Sequence, residues 1–294
     1  VSTAVELPPG RAIDLPGRGR TFIREVEGPP GAPVLVLLHG WTATADLNWF
    51  AAFAELGRHF RVVAPDHRGH GRGIRLRGSF RLEDCADDVA AIADVLGIPT
   101  FVPVGYSMGG TIAQLMWRRH ESRVRGLVLC STAGNFTSSR EERLGFLGLS
   151  GLAALSRLTP AQARDWLTEQ LYVQRKGEGL EPWAVQQLAS HDWRHVLEAG
   201  GAIGAFNSLD WLPGIDVPVS VVLTLRDQVI SLERQQRMLD LIPAARHWEF
   251  DAGHDAVLRS APTYIPVLLD ACRAAVDATP GTASPGTSRS TGAQ

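Results

Sequence analysis

Five residues near the middle of the chain carry the clearest chemical signal: Gly105-Tyr106-Ser107-Met108-Gly109. A serine hydroxyl becomes a nucleophile when a neighbouring base takes its proton, and a neutral imidazole can do that near pH 7. Residues 100–104 form a short apolar, β-branched run that reads as a buried strand. From Met108 onward, Ile112, Leu115 and Met116 fall on one helical face. A serine on a sharp strand-to-helix turn needs small neighbours two positions away on each side, because the backbone there is crowded and strained. Gly105 and Gly109 supply that room, and Gly110 lets the helix approach the sheet. Such a turn lifts the Ser107 hydroxyl above the sheet and aims a helix N-terminus at negative charge developing beside it. Alone the motif carries little, as the near miss Gly148-Leu149-Ser150-Gly151 illustrates. Its weight comes from what surrounds it.

The surrounding chain has an ordinary globular composition. Its 294 residues are 45% hydrophobic and 20% charged, enough for one large core or a core with a subdomain. A net charge of -2 argues against an electrostatic nucleic-acid binder. All but one of the 29 basic residues are arginine, the exception being Lys176, which reads as the codon bias of a GC-rich bacterial gene. Cys85, Cys130 and Cys272 are scattered through apolar patterns without metal-type spacing, so buried free thiols in a reducing compartment are expected. No apolar run reaches membrane-spanning length, and the N-terminus lacks a charged start followed by an apolar stretch. A cytoplasmic setting is the expectation.

Taken in order, residues 11–15 and 20–27 read as strands joined at Pro16-Gly17. Strands at 34–38 and 60–64 flank a helix near 49–56. The helix at 81–96 is well marked by Leu82, Cys85, Ala86, Val89, Ile92, Ala93 and Leu96 on one face, with acidic residues crowding its N-terminal half. The serine strand and helix come next, then a strand at 126–130. Strands alternating with helices mean a mainly parallel sheet covered on both faces. The alternation breaks over 136–212, where helical patterns occur without strands and a clear helix start stands at Thr159-Pro160. This block holds Trp166, Trp183, Trp193 and Trp211. Strands at 217–225 and 246–250 and helices at 231–241 and 263–276 complete the sheet. The tail at 279–294 is Pro, Gly, Ser and Thr and is expected to be disordered.

The chain resembles an α/β-hydrolase with a helical cap inserted after the sixth strand, over about residues 11–276. The matching pieces are His39-Gly40 after a strand, Asp66-x-Arg68-Gly69-His70-Gly71, the Gly105–Gly109 turn, Asp227 after the strand following the cap, and Gly253-His254. Nucleophile, acid and histidine fall in that family's chain order. The resemblance implies an eight-stranded, mainly parallel sheet with helices on both faces. It divides the chain into a core at 1–135 and 213–278, an all-helical cap at 136–212, and the tail. His254, in a loop just past the last strand, is the expected base. Asp227, directly after an apolar strand, is expected to fix the imidazole tautomer. Asp251 and Asp255 flank His254 as rivals, too close in sequence for easy side-chain geometry. The acid position that some relatives use after the sixth strand is vacant here, because Ser131-Thr132-Ala133-Gly134-Asn135 holds no carboxylate.

The resemblance also puts two oxyanion donors on the main chain of Met108 and Trp41. His39 is expected to brace its loop, and His67 and His70 to be structural, since no carboxylate or cysteine cluster completes a metal site. Trp166 and Trp183 are candidates for substrate contact, implying an apolar pocket. The expected activity is hydrolysis of carboxylic esters of small apolar molecules through an acyl-enzyme, with no metal or cofactor. Perhydrolase or cofactor-independent haloperoxidase activity, enol-lactone hydrolysis and carbon–carbon bond hydrolysis stand as alternatives. A slow-turnover small-molecule receptor is the non-enzymatic one. Neither substrate specificity nor oligomeric state is readable in the sequence.

Overall fold

The structure is a computed structural model and describes residues 5–75, 78–156, 182–277 and 288–290. Its centre is one twisted sheet in the order β1-β2-β4-β3-β5-β6-β7-β8-β9. The strands are β1 (Gly10–Leu15), β2 (Gly19–Val26), β3 (Val34–Leu38), β4 (Arg61–Pro65), β5 (Val102–Tyr106), β6 (Leu127–Cys130), β7 (Val219–Thr224), β8 (Arg246–Phe250) and a short β9 (Ser288–Ser290). β1 and β2 form an antiparallel hairpin that joins β4 antiparallel, and every later pairing is parallel. Eight strands match the expectation. A short ninth, Ser288–Ser290 within the stretch expected to be a disordered tail, pairs with β8. An added edge strand is held by main-chain groups, so a stretch without apolar side chains can still join.

Alternation along the buried strands feeds two cores. Val36 and Leu38 of β3 enter one cluster, whereas Leu35 and Leu37 enter the other, as the two-residue period requires. The first cluster is covered by α3 (Leu82–Val95) and α4 (Met108–His120), with α8 (Leu232–Leu241) beside them. The second is covered by α1 (Ala45–Trp49), α2 (Phe53–Leu56) and the closing helix α10 (Ala261–Asp277), which α9 (Ala256–Arg259) precedes. The single helix expected at 49–56 is thus two short ones, α1 starting four residues earlier behind a Thr44 cap that accepts from Leu47 N–H. The cause is tertiary: Asp66, buried beneath this segment, takes the Ala45 N–H at 2.8 Å.

Between β6 and β7 the described residues include the helices α5 (Arg140–Ser156), α6 (Pro182–Ala189) and α7 (Trp193–Ala205). The helix start expected at Thr159, and Trp166, lie outside the described residues. The insertion leaves and returns at one point, where Asn135 and Asn207 form an antiparallel bridge. It is tied down along its length. Asp192 N–H donates to Gly69 O at 2.9 Å, Gly71 N–H to His191 Nδ1 at 3.0 Å, and Phe80 N–H to Glu198 Oε2 at 2.7 Å. At the start of α5, Ser139 and Glu142 cap each other reciprocally, and Arg234 of α8 reaches both Glu142 oxygens at 2.7 Å.

That last anchor makes a pH prediction. The Arg234 guanidinium, helped by the Ser138 and Ser139 N–H groups, holds the Glu142 carboxyl down to about 2. A depressed carboxylate stabilises fully above its unfolded value of about 4.3, and the contribution is lost as pH falls through the folded value. Glu142→Gln should therefore lower Tm slightly near neutral pH and reduce the further loss on acidification between about pH 5 and pH 2. Calorimetric melting curves that overlay at every pH would show that this pair carries no linked stability.

Candidate active site

The serine sits where the sequence puts it, at the junction of β5 and α4. Its backbone is left-handed, φ 55° and ψ −118°, a conformation few non-glycine residues adopt. Three hydrogen bonds hold it there. Ser107 N–H donates to Cys130 O at 3.0 Å, while Ser107 O accepts from Gly110 N–H and from Thr132 Oγ1, both at 2.8 Å. A Cβ on Gly109 would lie 1.9 Å from Leu38 O, and one on Gly105 would lie 2.2 Å from Gly109 O, so the turn closes only with glycine at both places.

His254 and Asp227 converge on this serine. His254 Nε2 is 2.9 Å from Ser107 Oγ, and Nδ1 is 2.7 Å from Asp227 Oδ2. The carboxylate can only accept, so Nδ1 carries the proton and the Nε2 lone pair faces the hydroxyl. Asp227 is locked from both sides. Oδ1 accepts the Val229 and Ile230 N–H groups at 2.8 Å each, and Oδ2 accepts Thr224 Oγ1 at 2.9 Å as well as the imidazole. Burial alone would raise this carboxyl; the hydrogen bond from His254 and the two main-chain donors outweigh it and hold it below the ordinary value. The rivals point elsewhere: Asp251 pairs with Arg226 and Asp255 with Arg259, both in solvent.

The turn 39–41 lies beside the serine, with the site of a Gly40 Cβ 3.4 Å from Ser107 Cβ. Gly40 N–H is taken by Asn48 Oδ1 at 3.0 Å, which fixes the turn that presents Trp41. Met108 is the first residue of α4, where a main-chain N–H has no intrahelical acceptor. His39 braces this loop, as expected: Nδ1 donates to Gly40 O at 2.8 Å and Nε2 accepts His67 N–H at 2.9 Å. Burial and the neighbouring His67 push its imidazole well below the ordinary value. His67 and His70 pack against it, and among the described residues no cluster of three His, Cys, Asp or Glu could hold a metal. The three cysteines are free and buried, and desolvation pushes the Cys130 thiol up to about 12, far from a reactive thiolate.

Trp183 is half-buried and packs edge-to-face on Phe50 at 5.2 Å, beside the small Leu47–Ala184–Leu188 cluster. The Trp41 indole donates to Val196 O of α7 at 2.7 Å, a contact that spacing could not foresee. Thr224 and Tyr106 also escaped the sequence reading. Tyr106 donates its hydroxyl to His254 O at 2.7 Å. Both sit in strand positions whose residue type is ordinary for a strand, and no local pattern marks them. The turn after Asp227 could have been anticipated, since an aspartate accepting N–H groups two and three residues on is a common loop device.

A family model described as the alpha/beta hydrolase fold matches residues 33–261. The chain belongs to that family. This hydrolase is 31% identical over 229 residues to the bifunctional esterase/perhydrolase of Acinetobacter calcoaceticus, spanning 70% of this chain and 78% of that one. It is 23% identical over 256 residues to a 3-oxoadipate enol-lactonase of Acinetobacter baylyi, spanning 85% and 92%. Among solved structures, a thermophilic esterase from Thermogutta terrifontis matches with a TM-score of 0.70 at 25% identity, over 89% of this chain and 97% of that chain. No described helix is long and apolar enough to cross a membrane.

The elbow of this hydrolase tolerates no side chain at Gly109. Gly109→Ala drives a methyl into main-chain atoms of β3, and the overpacking should cost about 2–3 kcal/mol or prevent folding. In a chain of 294 residues that lowers Tm by roughly 3–5 °C. Gly148→Ala in the near-miss motif is the matched control, since nothing stands within 4 Å of its Cβ. Equal melting of the two variants would contradict the close approach of β3 and α4.

Proposed function

We propose that this hydrolase cleaves carboxylic esters of apolar substrates through an acyl-enzyme on Ser107. The observation that carries the reading is the continuous line from Asp227 through His254 to Ser107, with contacts of 2.7 and 2.9 Å and the imidazole lone pair facing the hydroxyl. In the first half-reaction Ser107 Oγ attacks the ester carbonyl carbon while His254 Nε2 takes its proton. Asp227 stabilises the imidazolium that results, and the N–H groups of Met108 and Trp41 receive the developing oxyanion. The imidazolium then returns the proton to the leaving alkoxide. In the second half-reaction Nε2 takes a proton from water as its oxygen attacks the acyl-serine; the C–Oγ bond then breaks, the imidazolium returns that proton to Ser107 Oγ, and the free acid leaves. Every proton is handled by one imidazole, so the chemistry asks for no metal or redox cofactor.

A second reading has support in the relatives, one a bifunctional esterase/perhydrolase and one an enol-lactonase. Hydrogen peroxide in place of water at the second step gives a peracid from the same acyl-enzyme, and a lactone is an ester whose alcohol stays attached. The inserted helices are read as a cap over the site, with Trp166 and Trp183 as candidates for the acyl pocket. The small, near-neutral charge balance favours an uncharged small molecule over nucleic acid. A cytoplasmic setting is our reading of the three free, buried cysteines.

A fluorophosphonate should label the protein once, and Ser107→Ala should abolish the label; label surviving on the alanine variant would remove the serine from the mechanism. Steady turnover of p-nitrophenyl esters of several chain lengths separates an esterase from a slow receptor, which would release one equivalent and stop. Asp227→Asn keeps size but lets the imidazole settle in the wrong tautomer. It should lower kcat on the order of 10⁴-fold, about 5 kcal/mol of transition-state stabilisation. Asp251→Asn and Asp255→Asn should each lose less than about tenfold, because both carboxylates face solvent. If Asp227→Asn stays active while one of those collapses, the acid is misassigned.

A further inference from the structure

We propose that Tyr106 is a positioning residue for the base: its hydroxyl holds the main-chain carbonyl of His254 and so sets where the imidazole stands. The inference rests on the triad reading above. Tyr106 immediately precedes the nucleophile, and its ring enters the core on the side of α1 and α10. There it is 3% exposed, edge-on to Trp49 and Tyr264. The hydroxyl donates to His254 O at 2.7 Å, and the ring centroid lies 5.8 Å from that of the His254 imidazole.

The group it holds is the one that matters: a bond to the His254 carbonyl fixes the main chain from which the imidazole projects. Gly253 offers no side chain to brace the loop. The ion pairs on either side, Asp251 with Arg226 and Asp255 with Arg259, lie in solvent and hold little. Tyr106 is the buried anchor.

Asp227 is anchored separately, by Thr224 Oγ1 at 2.9 Å and by the Val229 and Ile230 N–H groups at 2.8 Å, so acid and base each have a support that does not pass through the nucleophile. Displacing a catalytic group by about 1 Å can cost on the order of 10²-fold in rate, which is the scale such an anchor controls.

The test is Tyr106→Phe, which removes the one oxygen that holds the His254 carbonyl. The expected result is a fall in kcat of roughly ten- to a hundredfold on a p-nitrophenyl ester with KM within about threefold. Fluorophosphonate labelling should slow in parallel. The downfield proton resonance of His254 Nδ1–H, assigned by its loss in Asp227→Asn, should broaden or vanish. Tyr264→Phe is the control, a phenol buried in the same cluster whose hydroxyl faces Cys130. It should keep kcat within about twofold and keep the resonance, whatever it does to Tm. If Tyr106→Phe fails to fold, 3-fluorotyrosine incorporated in place of tyrosine keeps the phenol where it is but makes it a stronger donor to His254 O, and the resonance should shift in the parent and equally in Tyr264→Phe. Unchanged kcat and an unchanged resonance in the variant that folds, or an equal kcat loss in Tyr264→Phe, would overturn the proposal. A parent protein that turns over no ester would defeat the esterase reading alone, since the resonance still reports whether Tyr106 holds the imidazole.

Discussion

The strained backbone of Ser107 is the constraint on which the architecture turns. A non-glycine residue in that region costs on the order of 1–3 kcal/mol and persists only when its surroundings over-determine it. The surroundings here are the sheet itself. β5 lies between β3 and β6, so the turn is gripped from both sides, by Leu38 O pressing on Gly109 and by Cys130 O and Thr132 bonding Ser107. The register that pairs Leu38 with Gly105 also brings the loop after β3 alongside the loop after β5. Gly40 is therefore beside the serine because two parallel strands end together. The loop after β3 and the turn that carries Ser107 are placed by one piece of pairing.

Parallel strands send all their carboxyl ends to one edge, and functional groups gather there. Distance along that edge still has to be bridged. His254 follows β8, and β7 and β6 stand between β8 and the serine strand, so at about 4.8 Å per strand the loop must lean across more than 10 Å. Asp227, after β7, meets it on the way. The aspartate is a second constraint, since burial works against its charge. Asp66 shows what happens otherwise: it too is buried and hydrogen-bonded, yet desolvation prevails and its carboxyl is raised. Asp227 is lowered because an imidazole N–H and two consecutive main-chain N–H groups converge on it. The same residue type thus serves as a structural hub in one loop and as a charged partner in another.

Legibility in the sequence followed the range of the forces involved. The elbow, the chain order of Ser107, Asp227 and His254, and strands such as Val34–Leu38 and Arg246–Phe250 could be read because local pattern and chain order carry them. The segment around 49–56 could not be read as two helices, because the residue that starts the first one early, Asp66, is remote in sequence. Tyr106 and Thr224 were invisible for a related reason. Each is an ordinary residue at a strand end, and its meaning lies in a loop partner that local pattern does not mark. The tail composition correctly lacked core-forming residues, but main-chain pairing of Ser288–Ser290 with β8 needs none.

Trp41, whose main-chain N–H we propose as an oxyanion donor, shows how one residue can serve two parts of the molecule. A main-chain donor leaves the side chain free to be used elsewhere. The indole is spent on the insertion: Nε1 donates to Val196 O at 2.7 Å, and the ring lies on Gly200 of α7, where a Cβ would stand 2.7 Å from Trp41 Cζ2. A larger residue at position 200 would push the ring off the helix. Leu149 of α5 reaches the same glycine from the other side, so Gly200 is where both inserted helices and the loop after β3 meet. The acceptor, Val196 O, already lies within the helical ladder of α7, so this bond adds to the helix rather than completing it. Its work is to fix the distance between helix and loop. The inserted helices are therefore not a separate lid resting on the core; their nearest face is bonded to the residue after His39-Gly40, and any displacement of α7 has to move the loop that flanks Ser107.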